Sequence, residues 1–321
     1  MVELTFNPGD IVKLRLALEE VEGRVLESPD SSIVLLKLKS GYNIGINKEN
    51  ILGAKLVKKF SEEKKKFAIP HSDKLPSIGL IITGGTIAAK LDPRTGGVHW
   101  LTDTKEFAKF YPELFKKANV AKIEVPFMTA SESMTSEHWI KIAQAAEKML
   151  NDPEIKGVVI THGTDFLGYT AAALSFFLKN LNKPVVLTYS QRSIDRASSD
   201  AELNLVCAAE MAVSDCAEVM VVGHASENDD FCHAIRGTKV RKLHSSRRDA
   251  FKPVNDKPIA KVFSERVEFL SSYNKRDDTK KVQLDVEYTD KVALIKFYPG
   301  QDSSILDFYA LKHKGIVIEA G

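Results

Sequence analysis

The chain is expected to hold an α/β domain built on a parallel sheet, preceded by a small β-barrel. Three observations lead there. Residues 1–60 contain four or five short apolar strands broken by turn signals such as PGD, SPDSS and KSGYN, which suits a small SH3-like barrel. Residues 61–77, SEEKKKFAIPHSDKLPS, form a charged, proline-containing connector with little periodicity. Over residues 78–321, short apolar runs alternate with helical patterns, as parallel strands with crossover helices on both faces require.

In chain order, the barrel strands fall at 11–18, 21–26, 32–38 and 42–46. The α/β region offers strands at 78–83, 122–126, 158–161, 185–189, 219–222 and 292–297. Thr135 or Ser136 can cap a helix that runs to Leu150, in which Trp139, Ile140, Ala143 and Met149 recur at helical spacing. Two alanine-rich helices are expected at 170–180 and 197–212. Sheets of this kind bind ligands beyond the carboxyl ends of their strands.

With 321 residues, 44% hydrophobic and 27% charged, the chain can bury a sizeable core. Its formal net charge of +2 gives bulk electrostatics little hold on a polyanion. The basic triplet Lys64-Lys65-Lys66 reads as a solvated connector. No apolar run approaches a membrane span, and MVELTFNPGDIVKL lacks the apolar block of a signal peptide, so a cytoplasmic protein is expected. Cys207, Cys216 and Cys232 have no metal-type spacing and read as buried, reduced thiols. His162, His224, His233 and His244 show no ligand spacing either, so no bound metal is expected.

Two stretches carry chemistry. IGLIITGGTIAAK, residues 78–90, is a strand running into adjacent glycines and then the hydroxyl of Thr86. VVITHGTDFLG, residues 158–168, repeats that layout and adds the carboxylate of Asp165 to the hydroxyl of Thr164. Neither is a phosphate loop, a dinucleotide fingerprint or a GxSxG elbow. A threonine nucleophile at the joint end of two strands is the reading left. Such a hydroxyl needs a base or a lysine of lowered pKa. RGTKVRKLHSSRR, residues 236–248, offers Lys239 and Lys242, and the residues alone leave both open.

TGGTIA and THGTD, each closing a strand, resemble the two signature motifs of the bacterial-type asparaginase/glutaminase family. The resemblance extends through MTASESMTSEHW at 128–139, through 185–190 and through 236–251. With the N-terminal barrel, the connector and the TGGV of residues 95–98, the nearer resemblance is to the glutaminase subunits of archaeal glutamyl-tRNA(Gln) amidotransferases, the D subunits. It implies Thr86 as nucleophile, Thr164 and Asp165 as second threonine and carboxylate, and Lys242 rather than Lys239 as the lysine. It also implies Ser131 at the α-groups of the substrate with Glu132 beside it, and Gly85 and Gly163 as backbone donors to an oxyanion. Many members carry a tyrosine in the lid after the first motif; residues 91–110 contain none before Tyr111, and Thr95 stands as the candidate there.

The same resemblance implies glutamine hydrolysis that supplies ammonia, with no cofactor on this chain. ATP and Mg would be used by a partner E subunit acting on Glu-tRNA(Gln), in an assembly of two D and two E subunits. Arg241, Arg247 and Arg248 are candidates for contact with RNA or the partner. The family continues past the final GIVIEAG into a smaller C-terminal α/β domain, so that subdomain is expected to be missing here. A free-standing asparaginase or glutaminase is the alternative enzyme reading. A non-catalytic scaffold would leave Thr86, Thr164, Asp165 and Lys242 idle.

Overall fold

Short strands that are apolar on both faces have to be covered on both faces, and this sets the architecture. The computed structural model describes residues 6–40, 42–60, 70–92, 98–101 and 104–320. Five short strands come first: β1 (Ile11–Arg15), β2 (Glu20–Leu26), β3 (Ile33–Leu38), β4 (Asn43–Asn47) and β5 (Gly53–Lys58). They form an antiparallel sheet in the order β4-β3-β2-β1-β5. Val12, Leu14, Val34 and Leu36 alternate with more exposed residues and pack into a core of their own. Buried Asp10 closes the module, accepting hydrogen bonds from the backbone N–H of Asn7 at 2.9 Å and of Phe60 at 2.7 Å.

The α/β region follows with β6 (Ser77–Ile82), β7 (Ala89–Leu91), β8 (Val98–Trp100), α1 (Thr104–Phe110), α2 (Leu114–Lys117) and β9 (Asn119–Glu124). Next come α3 (Ser136–Leu150), β10 (Ile155–Thr161), α4 (Leu167–Phe177), β11 (Leu178–Lys179), β12 (Val185–Thr188), α5 (Ala201–Ala212) and β13 (Val219–His224). The remaining elements are β14 (Cys232–Arg236), β15 (Val240–Lys242), β16 (Phe251–Pro253), β17 (Ala260–Val262), β18 (Val267–Phe269), β19 (Gln283–Leu284), β20 (Val292–Lys296), α6 (Ser304–Ala310) and β21 (Gly315–Glu319).

The main sheet has eight strands in the order β18-β17-β14-β13-β12-β10-β6-β9. From β13 to β9 all pairings are parallel, as expected. Strands β14, β17 and β18 add an antiparallel edge that the sequence pattern does not reveal, making the sheet mixed. Alternate residues of the parallel strands face opposite cores. Leu80, Val159, Val186 and Met220 lie in the cluster that includes residues of α1, α2 and α5; Ile81, Val158, Val185 and Val221 lie in the one that includes residues of α3 and α4.

One local choice is settled and two expectations shift. Thr135 is the cap of α3, its backbone N–H donating to His138 Nδ1 at 3.1 Å. Helix α5 starts at Ala201 rather than 197, because the preceding segment folds back so that buried Asp200 accepts the backbone N–H groups of Gln191 and Arg192. Strand β20 pairs in parallel with β21 in a separate two-stranded sheet and does not join the main one.

Candidate active site

Parallel pairing sets the two glycine turns side by side. Ile82 of β6 lies opposite Thr161 of β10, and both chains turn within the next three residues. Thr83 Oγ1 donates to the Thr161 carbonyl at 2.8 Å, and the Thr83 carbonyl accepts from Thr129 N–H at 3.0 Å, which locks the entry to the first turn. Gly84 and Gly85 then take φ of +115° and +78°, a region that a residue with a side chain enters only under strain. A Cβ on Gly85 would lie 2.4 Å from Gly163 Cα, so the two backbones touch at the glycines. Thr86 and Thr164 each follow directly on that contact. Thr86 is half-buried and opens a single 3-10 turn, Thr86–Ala88.

His162 holds the second turn. Its ring is fully buried, with Nδ1 2.7 Å from the Gly163 carbonyl and Nε2 2.9 Å from Thr170 Oγ1. A carbonyl only accepts, so Nδ1 carries the proton and Nε2 accepts from the threonine hydroxyl. Burial lowers its pKa from 6.5 to about 4, against the opposing pull of the Gly163 hydrogen bond. The imidazole is therefore neutral.

Ser131 sits in the 3-10 turn Ser131–Ser133 and is buried. Its Oγ accepts from the backbone N–H groups of Asp165, at 3.1 Å, and Phe166, at 3.3 Å. A Cβ on Gly163 would lie 2.9 Å from the same oxygen. Ser131 thus shapes the HGTD loop through its lone pairs, while its hydroxyl hydrogen faces the Glu132 carboxylate at a long 3.5 Å. Glu132 itself is exposed.

Lys242 ends β15 opposite Phe251 of β16. Its Nζ donates to Thr164 Oγ1 at 2.8 Å and to Asp165 Oδ1 at 2.9 Å. Lys242 is mostly covered and Asp165 is open to solvent, their side chains 14% and 58% exposed. Of the two lysines that the residues alone leave open, Lys239 lies exposed in the preceding turn, and Lys242 meets the second motif.

The hairpin carrying Lys242 is fastened by groups that sequence reasoning passes over. Asp249, buried, accepts two hydrogen bonds from Arg247, at 2.8 and 3.2 Å, and one from Lys252 at 2.7 Å. Burial pushes its pKa up, but these two cations outweigh that and bring it down to about 2. Lys252 also donates to the Ala225 carbonyl at 3.1 Å, and Tyr189 Oη donates to the Arg248 carbonyl at 2.9 Å. Arg248 pairs with Asp229 at 2.7 Å, and Arg241 with Glu319 at 3.5 Å. The three arginines considered for RNA or partner contact are thus engaged within the chain. The sequence signal for this clamp is slight: one aspartate directly after two arginines.

Thr95 lies outside the described residues; on either side, Ala89–Leu91 and Val98–Trp100 pair as antiparallel strands. Among the described residues, no three His, Cys, Asp or Glu side chains gather to hold a metal ion.

The family described as asparaginase, N-terminal, matches residues 77–275, and the GatD N-terminal domain matches residues 6–57. The chain is 47% identical over 324 residues to the D subunit of glutamyl-tRNA(Gln) amidotransferase from Thermococcus kodakarensis, spanning 97% of this chain and 73% of that protein. It is 49% identical over 309 residues to the protein of the same name from Pyrococcus furiosus, spanning 94% of this chain and 70% of the relative. Among solved structures it is similar to the thermostable L-asparaginase from Thermococcus kodakarensis, with a TM-score of 0.65 at 29% identity over 76% of this chain and 70% of that one. A probable cytoplasmic L-asparaginase from Campylobacter jejuni gives a TM-score of 0.61 at 28% identity, over 76% and 74% of the two chains. An asparaginase-type α/β domain behind a GatD-type N-terminal module, with identity near one half along almost all of its length, places this chain in the GatD family of glutamyl-tRNA(Gln) amidotransferase subunits.

Proposed function

We propose that the chain is the glutaminase component of a tRNA-dependent amidotransferase. The observation that carries the proposal is Lys242 Nζ bridging Thr164 and Asp165 at 2.8 and 2.9 Å, beside the glycine contact that leads to Thr86. Thr86 Oγ attacks the side-chain amide carbon of glutamine, and Thr164 with Lys242 relays the hydroxyl proton toward the departing nitrogen. The C–N bond breaks, ammonia leaves with that proton, and a glutamyl ester on Thr86 remains. Water then cleaves the ester to give glutamate and restores the hydroxyl. Backbone N–H groups at Gly85 and Gly163 stabilise the oxyanion, and Asp165, exposed beside the lysine, pairs with the α-ammonium of the substrate. Ser131, Glu132 and Thr95 complete the substrate pocket.

In this reading the ammonia passes to an E subunit that uses ATP and Mg to activate Glu-tRNA(Gln). The assembly is two D and two E subunits in the cytoplasm, and this chain needs no cofactor of its own. The N-terminal match over residues 6–57 favours this over a free-standing asparaginase, whose chemistry would be the same. The test follows ammonia release from glutamine and asparagine with the chain alone, then with E subunit, ATP and Glu-tRNA(Gln). Slow glutamine hydrolysis that rises sharply in the complete mixture, and falls by at least about a thousandfold in Thr86→Ala, is the expected result. Brisk asparagine hydrolysis indifferent to the additions would establish the free-standing enzyme instead. Full activity of Thr86→Ala would remove Thr86 from the mechanism.

A further inference from the structure

A polar cavity lies at the opposite ends of the strands. It has a volume of about 460 Å³ and is lined by Ala217, Asn274, Lys275, Arg276, Asp277 and Lys280. Ala217 stands just before β13, and Lys183, two residues before β12, lies close by, so the cavity faces the amino ends of β12 and β13, in the sheet whose strands β6 and β10 carry the glycine turns at their carboxyl ends.

The cations there are poorly matched. Arg276 has a side chain only 15% exposed, yet among the described residues its one side-chain hydrogen bond is from Nη2 to the Ser214 carbonyl at 2.7 Å. Nη1 is buried without a hydrogen-bond partner, and Asp278 stands off at 4.0 Å. Lys183 is 3% exposed and donates to a backbone carbonyl, that of Asp152, at 2.7 Å. Burial holds both groups below their usual pKa, against the opposing pull of Asp278 on each. The nearby carboxylates are committed elsewhere: Asp215 accepts from Tyr273 at 2.8 Å, and Asp277 from Thr279 at 2.5 Å and Lys280 at 3.3 Å. Asp278, at 4.0 Å, forms an ion pair with Arg276 but stands too far off for a hydrogen bond, so Nη1 keeps a buried donor with no acceptor.

We propose that this cavity is a phosphate site, with Arg276 among its lining residues and Lys275 and Lys280 at its rim. The unsatisfied Nη1 donor of Arg276 and the two exposed lysines supply positive charge for a dianion. The phosphate is either free or carried on an RNA backbone.

The test titrates the full chain with inorganic phosphate at constant ionic strength in a calorimeter, with acetate as the control anion. One saturable phosphate site is expected, weakened about tenfold or more in Lys275→Ala/Lys280→Ala, which alters two exposed side chains and leaves Arg276 in place. Arg276→Gln should weaken it further, and the double variant decides the matter if that protein does not fold. A short single-stranded RNA that competes with phosphate for the site identifies backbone phosphate as the ligand; RNA that does not compete identifies the free ion. No saturable uptake, uptake unchanged in the double variant, or acetate binding as well as phosphate overturns the proposal.

Discussion

A buried histidine beside a reactive threonine invites assignment as a base, and at His162 the geometry argues otherwise. Both ring nitrogens are committed, one to the Gly163 carbonyl and one to the Thr170 hydroxyl, so the ring splints the turn that presents Thr164. Its neutrality has a consequence for stability. The folded state holds its pKa at about 4 against 6.5 unperturbed, so below pH 6.5 the unfolded chain takes up a proton that the folded chain refuses. Stability from this group is complete above pH 6.5 and is lost as pH falls toward 4, by about 3 kcal/mol in all. Urea unfolding at a series of pH values should show this loss in the parent and a flatter profile in His162→Gln; equal profiles would mean the ring is charged or exposed. At this scale the motifs were legible, since strand, glycine, hydroxyl and acid lie in sequence within a few residues. Lys242 was not separable from Lys239, because three residues decide nothing until the hairpin bends one of them onto Thr164.

At the scale of elements, the hairpin β15–β16 is what delivers that lysine, and Asp249 is its fastening. Asp249→Ala would leave Arg247 and Lys252 without their shared partner and free the hairpin from the Ala225 carbonyl. With both cations partly exposed, the expected loss of stability is about 2 kcal/mol. Glutamine turnover should fall about tenfold or more through displacement of Lys242, with the larger effect on kcat than on KM. Unchanged turnover in a folded variant would show that the lysine is positioned without this clamp. Helix α3 was readable almost to the residue, since its apolar spacing and its threonine cap are both local signals. The three-residue strands β17 and β18 were not, because they are recognisable only by the partners they find across the sheet.

Among the described residues the apolar cores are separate: two sandwich the main sheet, and a third lies inside the N-terminal module. Leu36 is completely buried in the third. Leu36→Ala should destabilise that module by about 2–5 kcal/mol. Calorimetry should show one transition moving down while the other, belonging to the α/β domain, stays in place. A single transition that shifts as a unit would mean that the module and the domain unfold together.

By itself the sequence determined the order of the two units, the parallel strands and the pair of hydroxyl-bearing turns, because periodicity, glycines and apolar runs act over neighbouring residues. Only the tertiary structure decided which lysine meets Thr164, why Gly85 and Gly163 admit no side chain, and how Arg241 and Arg248 come to be engaged within the chain. Those facts rest on contacts between segments tens of residues apart, Lys242 with Thr164 being separated by 78. Which distant groups meet depends on strand register and on the burial of the two sheet faces, and neither is written in any one stretch of chain.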